Sequence, residues 1–286
     1  VNPNYGSAVF VMDLEDEGRL LKVIEIEDGT NNIVNSIPAD LSVITADGTE
    51  KATYSGALVY AADLEGKVTK INLTDQGTLY QKTTLFNSQS TSNNGRYIYK
   101  KPEVTINNDN KLWLYFGTGN TQKLQEQSSQ TQNRVYGIKD KDFPNFVNRS
   151  AGSVSQCKTA PACPGSTDLG WYVNLKNSKK LTAESTIDKD RVYFPLYEPA
   201  KTDKCGIGNA ILTAYDTKCG NSVLNVHLGT GVLSKVVVQG DNLYIGIAGE
   251  AKKNIGDFTS TGNLITGKSK AKGSGGKVQL EGWREN

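Results

Sequence analysis

Few residues in this chain could do chemistry. One histidine, His227, is present in 286 residues, so a serine or cysteine nucleophile would have a single imidazole available to activate it. It sits in VLNVHLGTG, where apolar and polar residues alternate, and it reads as a half-buried histidine on a strand. No Gly-x-Ser-x-Gly elbow, phosphate loop or zinc-protease motif occurs. Gly117-Thr118-Gly119-Asn120 could cradle an anion, but it reads first as a strand-to-loop turn that needs unusual backbone angles. The oxygen-rich runs Asn107–Asn110 and Asp140–Asp142 read as a β-turn and a solvated strand end. No catalytic residue is assigned, and the expectation is a chain that is not an enzyme.

The four cysteines, Cys157, Cys163, Cys205 and Cys219, fall in loops rich in Pro, Gly, Lys and Thr. Zinc pairs use spacings of about two to four residues, and these are wider. Two disulfides formed in an oxidising compartment are expected, with Cys157–Cys163 and Cys205–Cys219 favoured because each closes one local loop. Four free thiols is the alternative. Tyr97 and Tyr99 flank a polar loop, Trp171 and Tyr172 follow the first cysteine pair, and Tyr197 precedes Glu198-Pro199. Rings beside Asn-, Ser- and Gly-rich loops suit the binding of proteins or glycans, and core packing is the competing reading.

Short strands joined by many turns must carry these groups. Gly56–Leu73, GALVYAADLEGKVTKINL, is one complete hairpin, with Leu58, Tyr60 and Ala62 alternating before the turn at Glu65-Gly66 and Val68, Ile71 and Leu73 on the return. The grammar recurs in LVYAADLEGKVTKI, RVYGIKDKD, ILTAYDTKCGNSVLNV and NLYIGIAGE. About seventeen strands and no helix are expected, including an edge-like strand over Leu79–Phe86 and a polar surface loop, Asn87–Arg96, with no apolar anchor. Loose repetition of antiparallel units predicts an all-β propeller or sandwich, and a propeller of four-stranded blades would be incomplete or modified, because seventeen strands make only about four blades. The organisation expected is one propeller domain or its C-terminal portion over 1–286, a long cysteine-containing loop insertion over 141–168, and a flexible basic loop over 268–277 with Lys268, Lys270, Lys272 and Lys277.

Charge narrows the partners. Lys plus Arg number 32 against 30 Asp plus Glu, a net charge of +2, which predicts no general attraction to nucleic acid or acidic lipid. No apolar run is long enough for a transmembrane helix. Val1 runs at once into Asn2-Pro3-Asn4 and a strand, with no signal peptide, so the chain is expected to be a piece of a larger protein.

The ordered series AVFVMDLEDEG, LVYAADLEGKVTKINL, LWLYFGTGN, RVYGIKD, GWYVNL followed by ESTI, VLSKVVVQGDNLYIGIAGE and a closing GWREN resembles the C-terminal β-propeller of the PilC/PilY family of type IV pilus proteins. The resemblance implies a pilus biogenesis and adhesion factor, exported to the periplasm and displayed at the cell surface or pilus tip. It also implies contacts with pilin or minor pilin subunits and with a host-cell receptor. Family members usually carry an Asp-rich calcium loop, DxDxDxxxD, before the hairpin that corresponds to Leu58–Leu73. Here that place holds Ala46-Asp47-Gly48-Thr49-Glu50-Lys51, too poor in carboxylates for a shell of about six to eight oxygens, and Asp47 and Glu50 are the candidates it offers. Two other functions compete with pilus biogenesis by protein binding. A quinoprotein-type propeller dehydrogenase would need a quinone, calcium-binding carboxylates and an adjacent cysteine pair, which is lacking; a glycan-binding or structural propeller would need none of these.

Overall fold

The structure is a computed structural model that describes residues 7–26, 33–45, 56–107, 110–201, 206–273 and 278–279. Asp47, Glu50, Cys205 and Lys277 lie outside the described residues. Among those described, only strands and one 3-10 turn, Val154–Gln156, are regular.

The hairpin Gly56–Ala62/Lys67–Thr74 forms where its alternation predicts, closed by a turn in which Gly66 adopts φ +73°. A Cβ there would lie 2.0 Å from Ser88 Oγ, so glycine is required. Ser42–Thr45 and Lys82–Asn87 flank the hairpin to complete a four-stranded meander, the first blade. The second blade is Glu103–Ile106, Leu112–Gly117, Arg134–Asp140 and Gly170–Asn174. The third is Thr186–Asp188, Arg191–Glu198, Asn209–Asp216 and Ser222–Leu233. In the fourth, Val237–Gln239 pairs with Asn242–Ala251, but the next strand outward is Leu264–Lys268 and Phe258–Thr261 folds outside it, so this blade is modified. It is also fused to the third, because residues 229–233 pair with 247–251.

Stacking of the blades follows from the period-two alternation of their strands. Leu58, Tyr60 and Ala62 pack with Leu112, Leu114 and Phe116 between blades one and two. Trp113 and Tyr115, on the opposite face of that second-blade strand, pack with Val192, Phe194 and Leu196 of blade three. Ala210, Leu212 and Ala214 then meet Leu243, Ile245 and Ile265 of blade four. The N-terminal hairpin, Ser7–Asp13 with Arg19–Ile26, sets Val9 and Ile24 against Val59, Ala61 and Ile71 on the outer face of blade one. The inner strands Gly56–Ala62, Leu112–Gly117 and Asn209–Asp216 are thus buried on both faces, as radial stacking demands.

Polar bonds tie the first strand of each blade to the next. Ser42 donates to the Pro102 carbonyl at 2.5 Å, and Thr186 donates to the Val236 carbonyl at 2.7 Å. Lys235 bridges Glu103 at 3.0 Å and Glu184 at 3.3 Å, joining blades two, three and four at one point.

Three expectations change. The strand over Leu79–Phe86 is Lys82–Asn87, and Gly152–Ser153 covers it in parallel, so it is not an edge. The segment 141–168 is only partly irregular: Cys157–Thr159 adds a second parallel strand, beside Gly170–Asn174, so one insertion extends two blades. The polar loop 87–96 has no apolar anchor but is held by Arg96, 6 % exposed, which donates to the Ser88 and Gln132 carbonyls and to Gln132 Oε1. Short polar sequences carry no periodic signal, so such pinning is visible only after folding.

Candidate functional site

The strongest departure from the sequence reading is at Asp140. Register places Tyr60 opposite Lys70, so both side chains leave blade one on the same face. Across the blade interface they meet Asp140, at the end of its strand: Lys70 Nζ lies 2.6 Å from Asp140 Oδ2, and the Tyr60 hydroxyl donates to the same oxygen at 2.7 Å. Lys70 and Asp140 side chains are only 2 % and 1 % exposed. Asp140 is therefore a buried charge partner and not a solvated strand end, because the chain after it folds over the pair, with the Asn145 carbonyl accepting from Lys70 at 2.8 Å and Phe146 facing the ammonium. Burial, reinforced by Asp140, holds the Tyr60 phenol well above its usual range and keeps it a donor.

A second buried carboxylate stands in the turn of the opening hairpin. Asp63 accepts from Lys67 N at 2.9 Å and from Asn35 Nδ2 at 3.1 Å, while Glu65 beside it pairs with Lys67. Burial raises the Asp63 pKa to about 6, against the pull of its hydrogen bonds. Between about pH 4 and 6 the native state keeps a proton that the unfolded chain has released, so stability falls as pH rises through that window. A shift of about two units corresponds to on the order of 3 kcal/mol. Asp63→Asn should remove this dependence: in urea titrations, the stability of the parent relative to the variant should drop between pH 4 and pH 7. A constant difference across that range would refute it.

The remaining candidate chemistry is committed to structure. His227 donates from Nε2 to the Gly229 carbonyl at 2.7 Å and accepts from Lys252 Nζ at Nδ1, 2.9 Å. Gly119 in the GTGN turn has φ +153°, and a Cβ there would lie 2.6 Å from that of Lys180. Lys180, 2 % exposed, donates to the Leu124 and Glu126 carbonyls at 3.0 and 2.7 Å, and its burial lowers the amine to about 8, so the polar loop after Asn120 is anchored by a buried cation. Asn110 N donates to the Asn107 carbonyl at 3.0 Å, and Asn108 and Asp109 of the expected turn lie outside the described residues. Among the described residues no group of three or more His, Cys, Asp or Glu is placed to hold a metal ion. In the run 140–142, Asp140 is engaged by Lys70 and Tyr60 and Asp142 by Arg149, an arrangement that does not fit a calcium shell.

One disulfide is formed among the described residues, and it is neither of the favoured local pairs. Cys163 bonds Cys219, 56 residues away, with Cα atoms 4.1 Å apart. Cys157 stays free, packed against the core between blades one and two, and burial pushes its thiol up to about 12. The loop preference behind the local pairing applies to an unfolded chain. Here the tip of the 160–168 loop is already carried to the 217–221 turn of the next blade.

The aromatic candidates divide. Trp171 is fully buried, donating from Nε1 to the Thr217 carbonyl at 3.1 Å, and Tyr197, 3 % exposed, accepts from Gly208 N at 2.7 Å. Both belong to the packing and present no ring to a partner. Tyr97 and Tyr99 are half-buried and meet edge to face at 6.4 Å; Tyr172 is half-buried under Arg134, 4.9 Å from its ring. In the basic segment, Lys268 donates to Asn242 at 2.7 Å and Lys270 pairs with Asp257, so these cations are spent locally.

Comparisons with known proteins agree with this architecture. No family model matches the chain. A type IV pilus biogenesis factor PilY1 homolog from Xylella fastidiosa is 25 % identical over 261 residues, covering 78 % of this chain and 17 % of that protein. The crystal structure of the Pseudomonas aeruginosa PilY1 C-terminal domain superposes with a TM-score of 0.58 at 13 % identity, over 85 % of this chain and 65 % of that one. Quinohemoprotein alcohol dehydrogenase from Comamonas testosteroni gives a TM-score of 0.37 at 11 % identity, over 99 % of this chain and 45 % of that one, a likeness that carries no argument. The chain thus spans under a fifth of the length of its curated relative and about two thirds of the solved domain. The chain is thus similar in sequence to a PilY1 homolog and shares the fold of the PilY1 C-terminal domain.

Proposed function

We propose that this domain serves type IV pilus biogenesis by binding other proteins, with no chemistry of its own. The observation that carries the reading is the joint match to PilY1 proteins, 25 % identity over 78 % of the chain together with a TM-score of 0.58. The radial stack supports it, because loops at the rims of a rigid propeller can take up a partner without disturbing the inter-blade core. A formed disulfide suits an exported protein working in the periplasm, at the outer-membrane surface or at the pilus tip. No helix among the described residues is long and apolar enough to cross a membrane. Pilin or minor pilin subunits are the expected partners, with adhesion to a host-cell receptor as a further role. Tyr97, Tyr99 and Tyr172 remain the proposed aromatic contacts.

The test is deletion of this domain from the full-length protein, followed by counting surface pili by electron microscopy and measuring sheared pilin. Loss of surface pili with normal cellular pilin is the expected result. Wild-type piliation with the truncated protein stably present would overturn the reading, and loss of host-cell binding alone would assign adhesion instead.

A further inference from the structure

At the rim where blades two and three adjoin, four turns surround a cleft of about 660 Å³. Its floor is Trp113, one wall is the Cys163–Cys219 disulfide with Pro164 and Gly165, and Lys111, Lys139, Lys141 and Lys218 stand around it. No carboxylate among the described residues lines the cleft. Among the described residues the acids nearby are engaged elsewhere: Asp140 holds Lys70, Asp142 holds Arg149, Asp168 takes Gly165 N and Lys158, and Asp216 accepts from the backbone of Lys218, Cys219 and Asn221. Lys111 and Lys218 are exposed and have no ion-pair partner among the described residues. Lys139 and Lys141 are fixed by carbonyls of the opposite wall, Lys139 to Gly165 at 2.7 Å and Lys141 to Thr167. Two cations are therefore preset and two are free to close on a ligand.

We propose that this cleft binds an acidic, extended peptide segment of a partner protein, with carboxylates met by the lysines and an apolar side chain set against Trp113 and the disulfide. A volume of this size accepts a few residues. Ammonium groups at four separate points suit carboxylates spaced along a chain, whereas planar bidentate recognition would call for arginine. An acidic sugar fits less well. Stacking of a pyranose needs an open ring face, and Trp113 is only 6 % exposed, stacked beside Tyr115 and with Lys139 Nζ 5.3 Å from its ring centre. The wall is built in advance of binding: the disulfide joins the loop to the 217–221 turn, and Tyr115 and Trp171 both donate to the Thr217 carbonyl, at 2.9 and 3.1 Å. The inference rests on the reading of this domain as a protein-binding module and adds the place and the charge of what is bound.

The test uses the disulfide-intact protein and a short fluorescein-labelled peptide of repeated Glu-Glu-Leu, followed by fluorescence anisotropy. Lys111→Glu/Lys218→Glu should weaken binding at least about tenfold, while Lys268→Glu/Lys270→Glu, with the same change of net charge on blade four, should leave it within about twofold. Near-ultraviolet circular dichroism confirms that both variants fold. Failure of the peptide to bind the parent protein would overturn the proposal, as would equal loss in both variants or tighter binding of an oligogalacturonate. In cells, normal piliation after deletion of the whole domain would sink the functional reading without touching the peptide result. A peptide that fails to bind while deletion still abolishes pili would sink the cleft and leave that reading intact.

Discussion

Asp140→Ala should destabilise the fold by ~3–5 kcal/mol, since removing one partner of a buried pair strands the other charge. Lys70 is 2 % exposed, and without Asp140 its ammonium keeps only the Asn145 carbonyl, 2.8 Å away, while the Tyr60 hydroxyl loses its acceptor. The charge sits between blades one and two, so the loss should appear as lower cooperative stability of both and not as fraying of one loop. Replacing both partners, Lys70→Met with Asp140→Leu, should recover most of the loss, because an apolar pair of similar volume no longer carries a desolvation penalty. Urea unfolding of the single and double variants provides the check. A single variant within about 1 kcal/mol of the parent would show that water reaches the pair, contrary to its burial.

The second large effect is expected from the disulfide. Closing a 56-residue separation restricts the unfolded chain enough to be worth about 4 kcal/mol, so Cys163→Ser/Cys219→Ser should lower stability by that order. Hydrogen exchange should localise the native-state change: amides of 160–168 and 217–221 should exchange faster, whereas those of the 56–74 hairpin, in blade one, should be nearly unaffected below the unfolding transition. Equal acceleration across both regions would mean that the bond supports the whole stack. If Cys157 or Cys205 instead formed the disulfide that matters, the Cys163/Cys219 variant would match the parent in urea.

Several features were legible because they are local and periodic. The alternation in Gly56–Ala62 implied a hairpin strand, and the structure shows it covered on both sides by different neighbours. The positive φ of Gly66 marks the turn that the sequence places at Glu65-Gly66. The candidate sites were harder to see, because their members come from distant strands and loops. Tyr60, Lys70 and Asp140 meet through register and blade stacking, and nothing in KVTKINL or RVYGIKD announces a shared interface. Trp171 could be read as a binding or a packing ring because polar loops surround it in sequence; Gly137 and Gly220 leave space that the indole fills, and a Cβ on either would come within 2.5 to 2.7 Å of it.

The unit was legible in the sequence: short antiparallel strands joined by tight turns, a single histidine, and an ordered set of motifs that resembles one family. The tertiary structure decided which units touch, and with that the disulfide partner, the fate of Asp140 and the grouping of four lysines around Trp113. The reason is one of range. Alternation and turn chemistry act over a few residues, whereas the partner of a charge or a thiol is set by how blades pack, across separations that no local pattern encodes.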